Sequence, residues 1–114
     1  MPLIYKLAPA GLWKTAEAAG IFAGAPVDLA DGFIHFSTAA QTRETAAKHF
    51  AGVPDLMLIA VDADYLAADL KWEESRGGQL FPHLYRALPL AAVRSIAPVP
   101  LGADGRHDFA GLLP

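Results

Sequence analysis

Cysteine is absent from the 114 residues. That removes disulfide frameworks, thiolate zinc sites and thiol nucleophiles, and it fits a reducing cytoplasm. Basic charge is scarce too: nine Lys+Arg stand against twelve Asp+Glu, a formal net charge of −3. General nucleic-acid binders and anionic-membrane binders carry a basic excess or patch, so neither role is expected. No apolar run approaches the ~20 residues of a membrane span. The opening Met-Pro-Leu-Ile-Tyr-Lys holds no apolar signal core, and a cytoplasmic location is expected. A glycine-rich phosphate loop, a G-x-S-x-G elbow and a dinucleotide-binding glycine fingerprint are all missing. The four histidines, His35, His49, His83 and His107, share no zinc-helix or zinc-finger spacing, so no metal is expected.

What is present describes a globular chain. Hydrophobic residues make up 54% and charged residues 18% of the sequence, and a chain of this size hides roughly 65% of its unfolded surface. One domain over residues 1–114 is expected, with its core within residues 3–100. Gly102, Asp104-Gly105 and Pro114 suggest a loosely held tail over 101–114.

Strand formers at 3–7 stop at Pro9, and a helical pattern runs from Pro9 to Gly20 with Leu12, Ala16 and Ala19 on one face. Residues 24–32 read as a loop, with Pro26, Asp28 and Asp31-Gly32 as turn chemistry. A strand at 33–37 feeds a helix that Thr38 and Gln41 can box-cap, carrying Ala39, Ala46, Ala47 and Phe50 toward the core. The continuous apolar run 56–61 predicts a central strand buried on both faces. Residues 62–68 suit a turn or one helical turn. Strands follow at 69–75, 81–86 and 94–99, with one helical turn at 89–93. The order predicts a small α+β fold with a mainly antiparallel sheet and two helices.

Chemistry concentrates in two segments. In Gly32-Phe33-Ile34-His35-Phe36-Ser37-Thr38, alternation places Ile34 and Phe36 on one face and Phe33, His35 and Ser37 on the other. Ser37 and Thr38 also sit where free N–H groups of a helix start can meet an anion. In Phe81-Pro82-His83-Leu84-Tyr85-Arg86, His83 and Tyr85 share a face. If the two strands meet, two imidazoles and a phenol converge, and imidazole can move protons near neutrality. Between them, Trp72 offers a face for stacking and Glu73 a carboxylate; Lys6 on the first strand can join the same hollow. Each residue also has a plainer reading: a capped helix, a sheet-filling ring or a solvated charge.

The ordered set Ile4-Tyr5-Lys6, Trp13, Gly32 to Thr38, Asp55-Leu56, Trp72-Glu73 and Phe81 to Tyr85 resembles the bacterial domain-of-unknown-function family 952 over residues 3–100. That family is similar in fold to the ADP-ribosyltransferase superfamily, a split antiparallel structure that binds NAD in a cleft. The resemblance implies that Phe36-Ser37-Thr38 and the helix after it help build a nicotinamide pocket, with Lys6 nearby. It implies an NAD- or nucleotide-dependent transferase with His35, His83 and Glu73 as catalytic residues. Lys6, Ser37, Thr38, Trp72 and Tyr85 would hold the cofactor. The alternative expectation is a module that binds a nucleotide or small anionic metabolite without reacting with it.

Overall fold

The computed structural model describes residues 2–114. In chain order the elements are β1 (Leu3–Pro9), α1 (Ala10–Ala19), β2 (Ile21–Phe22), α2 (Pro26–Asp31), β3 (Ile34–His35), α3 (Ala39–His49) and β4 (Leu56–Asp62). They continue with β5 (Leu70–Glu74), β6 (Leu80–Leu84), β7 (Leu88–Pro89) and β8 (Val93–Pro98). Short 3-10 turns occupy Asp64–Asp69 and Leu90–Ala92, where a helical turn was expected. Every strand pairing is antiparallel, in sheets ordered β1-β4-β8, β3-β6-β5 and β2-β7. The two larger sheets meet where Tyr5 and Ser37 exchange backbone hydrogen bonds of 2.8 Å each. This is the small α+β fold that the element order predicts.

β4 explains why two cores form around one strand. Ile59 and Val61 join Ile4, Trp13, Phe22, Ile34 and Leu84 on one side. Leu56, Leu58 and Ala60 join Tyr5, Leu7, Ala46 and Val99 on the other. A strand covered on both faces has no polar side to present, hence its unbroken apolar run. α1 ends at Gly20, whose φ of 78° is the left-handed stop that glycine adopts without strain. α3 opens with the expected box: the Gln41 N–H donates to the Thr38 hydroxyl and the Thr38 N–H donates to Gln41 Oε1.

Several expectations are corrected. Residues 24–32 are not all loop, because Pro26 starts α2 and Gly32 ends it at φ 83°, so the described residues form three α-helices rather than two. α1 buries Trp13 and Ala16, whereas Ala19 is exposed and Leu12 half-buried. α3 buries Thr42 and Ala46 and leaves Ala47 in water; Thr42 is tolerated inside because its hydroxyl donates to the Thr38 carbonyl at 2.8 Å. The final segment is anchored, not loose: Phe109 is buried in the second core, Leu101 bridges His107, and His107 Nε2 bonds the Val53 carbonyl at 2.8 Å.

Candidate functional site

β3 and β6 bring the two histidine segments together, since His35 and His83 are register partners. Partners across an antiparallel pair share a face, and their ring centroids lie 5.5 Å apart. Phe33 packs over both, stacked on His83 at 4.1 Å and tilted against His35 at 4.6 Å. The apolar neighbours Ile34, Phe36 and Leu84 turn into the first core as alternation requires. Beside this face opens a hollow of about 600 Å³, within the range of small-molecule pockets. Its polar lining includes Lys6, Asp31, His35, Ser37, Thr45 and His83; Phe50 and Phe81 contribute apolar wall.

Lys6 and His35 are held by Asp28. Lys6 lies on β1 opposite the fully buried Ile59 and is itself 5% exposed. A cation so placed requires a partner, and Asp28 supplies both oxygens at 3.0 Å. The same carboxylate accepts from the backbone N–H groups of Ala25 and His35 and meets His35 Nδ1 at 2.6 Å. Burial pushes the Lys6 ammonium below its ordinary value, and the charge and hydrogen bond of Asp28 recover only part of that. Burial pushes Asp28 upward, but the His35 bond, the Lys6 charge and the backbone donors outweigh it, holding the carboxyl at about 2. His35 Nε2 is engaged as well, 2.9 Å from Asp31 Oδ2. Carboxylates therefore clamp both poles of the His35 ring.

His83 differs. Its Nδ1 lies 2.8 Å from Glu73 Oε1, an oxygen that also accepts the Tyr85 hydroxyl at 2.6 Å. The hydroxyl bond first, then the His83 bond, lowers the Glu73 pKa; the reciprocal bond raises that of Tyr85. Among the described residues no group bonds Nε2 of His83, and the nitrogen is not sealed in the interior, since Trp13 Nε1 is the one enclosed side-chain polar atom left without a partner. A carboxylate on Nδ1 fixes the tautomer and aim of an imidazole whose other nitrogen can exchange a proton.

The remaining expected residues divide. Ser37 reaches the hollow, its hydroxyl 3.0 Å from that of Thr45 on α3. Thr38 is engaged in the helix cap and does not line the hollow. Glu73 on β5 and Tyr85 just past β6 flank His83 without lining the hollow. Trp72 pairs with Pro82, on the opposite face of the sheet from His83, so the structure does not bring it to the hollow. Sequence reading missed Asp28 and Asp31. The available signal was Lys6 itself, a lysine among Ile4, Tyr5, Leu7 and Ala8, which demands a buried carboxylate from elsewhere.

The model for proteins of unknown function designated DUF952 matches residues 7–96. The chain belongs to the DUF952 family. This DUF952 chain is similar to Protein CC0527 from Caulobacter crescentus: the crystal structure is 51% identical, covers 96% of each chain and has a TM-score of 0.92. The solution NMR structure of the same protein covers 99% of this chain and 97% of that one, at 51% identity and a TM-score of 0.88. No curated protein matches the chain. Among the described residues no helix is long and apolar enough to cross a membrane, and no His/Asp/Glu group is spaced to hold a metal ion.

Proposed function

We propose that the hollow binds a nucleotide such as NAD and that His83 carries the proton in a transfer reaction on it. The observation that carries this reading is His83 itself: Nδ1 held by Glu73, Nε2 unbonded among the described residues, at a hollow shared with Lys6 and Ser37. Geometry of this kind, an oriented base beside a concave site, marks acid–base chemistry. Support for NAD comes from the resemblance to the ADP-ribosyltransferase superfamily, in which an aromatic- and serine-bearing strand end followed by a helix helps build the nicotinamide pocket. Here Phe36-Ser37-Thr38 enters α3 and Ser37 bridges Tyr5. A departing nicotinamide leaves an oxocarbenium-like centre that a carboxylate stabilises. Asp31, which lines the hollow, is better placed for that role than Glu73.

A second reading, binding without chemistry, is favoured by one observation. Glu73, the carboxylate nominated from sequence, is occupied by the donors of His83 and Tyr85. Calorimetry against NAD, ADP-ribose and AMP, with product analysis, separates the two. Turnover that disappears in His83→Ala while binding persists supports the transferase. Binding without any product supports the module, and no binding to any of the three removes both.

A further inference from the structure

We propose that β5 is a self-complementary edge through which two copies of this chain pair into one continuous sheet. β5 is the outermost strand of the β3-β6-β5 sheet, and among the described residues no strand pairs with its outer side. Unpaired edges are templates for strand addition. Which backbone groups face outward follows from the ladder. The Ser75 N–H donates to the Gln79 carbonyl and the Tyr85 N–H to the Asp69 carbonyl, each at 2.9 Å. Hydrogen-bonded pairs alternate in an antiparallel ladder. With Glu73 opposite Phe81 and Lys71 opposite His83, the backbones of Asp69, Lys71, Glu73 and Ser75 face β6. Those of Leu70, Trp72 and Glu74 therefore face outward.

A twofold axis through any residue of β5 sets outward groups opposite outward groups, so the side chains decide the register: centring on Lys71 or on Glu73 would oppose two like charges. Centring on Trp72 sets Trp72 opposite Trp72 of the partner subunit and Leu70 opposite Glu74 of the partner subunit, all with outward donors and acceptors. It also sets Lys71 opposite Glu73 of the partner subunit, and by symmetry Glu73 opposite Lys71 of the partner subunit. These fall at non-hydrogen-bonded positions, where side chains approach most closely, so opposite charges meet where they count. Centring on Glu74 would set two like charges face to face. Centring on Leu70 would run the partner into the turn before β5. The register about Trp72 also brings together two indoles, each 48% exposed in the single chain. Glu73 orients His83, so the pairing places the second copy's ammonium against the carboxylate behind the proposed proton carrier.

Analytical ultracentrifugation tests the pairing on the full chain. Wild type is expected to dimerise at concentrations on the order of 100 μM. Lys71→Glu turns both cross-strand attractions into repulsions and should weaken the dimer roughly tenfold. Combining it with Glu73→Lys restores complementarity and should return the constant to within about threefold of wild type. Trp72→Pro removes an outward N–H while leaving the β6 ladder intact, and should be monomeric with an unchanged circular dichroism spectrum. Ile96→Asp on β8, an edge strand of the other three-stranded sheet, should leave dimerisation as it was. A wild-type monomer throughout overturns the proposal. So does a dimer that survives Lys71→Glu or folded Trp72→Pro, or a double variant no tighter than Lys71→Glu alone.

Discussion

His35 and His83 face each other across one strand pair, and each presents Nδ1 to a carboxylate, yet their surroundings assign them different work. Around His35 the carboxylate is Asp28, 2% exposed, which also neutralises a buried lysine and accepts from two backbone N–H groups. Around His83 the carboxylate is Glu73, half-exposed on the outer strand, with a tyrosine as second donor. In the first case both ring nitrogens are occupied, and the node ties α2, β1 and β3 together. In the second, one nitrogen remains for a ligand. Asp28 is the only buried side chain of α2, so this helix is fastened by charge and not by apolar packing. The same pair of residue types thus gives a structural tie on one strand and a chemical group on its neighbour.

The sharpest way to break this contrast is Asp28→Asn, which strands Lys6 as an uncompensated buried cation. Urea unfolding should show a loss of about 3–5 kcal/mol, whereas Glu73→Gln should leave the midpoint nearly unmoved. Next in size is the split in activity. His83→Ala should lower turnover of whichever nucleotide proves to be the substrate about 100-fold or more, while the fold persists. His35→Asn should act instead through stability, and an equal catalytic loss without destabilisation would erase the distinction between the two rings.

Acid sharpens the comparison further. A carboxyl held at about 2 against an ordinary 3.8 stabilises the fold above the higher value and loses that contribution as pH falls through the lower one. The amount is about 2 kcal/mol, so the stability gap between wild type and Asp28→Asn should narrow by that much between about pH 4 and pH 2. The smallest expected effect is Tyr85→Phe. Removing the hydroxyl that most lowers Glu73 should raise the Glu73 titration midpoint, read by NMR, with no measurable change in melting temperature.

Strands whose alternation or apolar continuity is enforced by burial were legible in the sequence. Ile34 and Phe36 against His35 and Ser37, and the unbroken Leu56 to Val61, each carry their own period. α2 was not legible, because its one inward residue is an aspartate and Val27 and Leu29 are exposed at 56% and 66%. No apolar stripe marks such a helix. β2 and β7, two residues each, are too short to show any period. Residue type and the family resemblance both point Trp72 to the hollow; register with Pro82 puts it on the other face, something only the hairpin geometry decides. The glycines of residues 101–114 suggest a loose tail, and the anchoring Phe109 outweighs them.

Long-range proton–nitrogen NMR of the imidazoles, recorded with and without NAD or ADP-ribose, tests the account most directly. His83 should show a protonated Nδ1 and an Nε2 resonance that shifts on adding ligand, while both nitrogens of His35 stay in place. An unmoved His83 alongside a responding His35, or a silent pair at millimolar ligand, would contradict it.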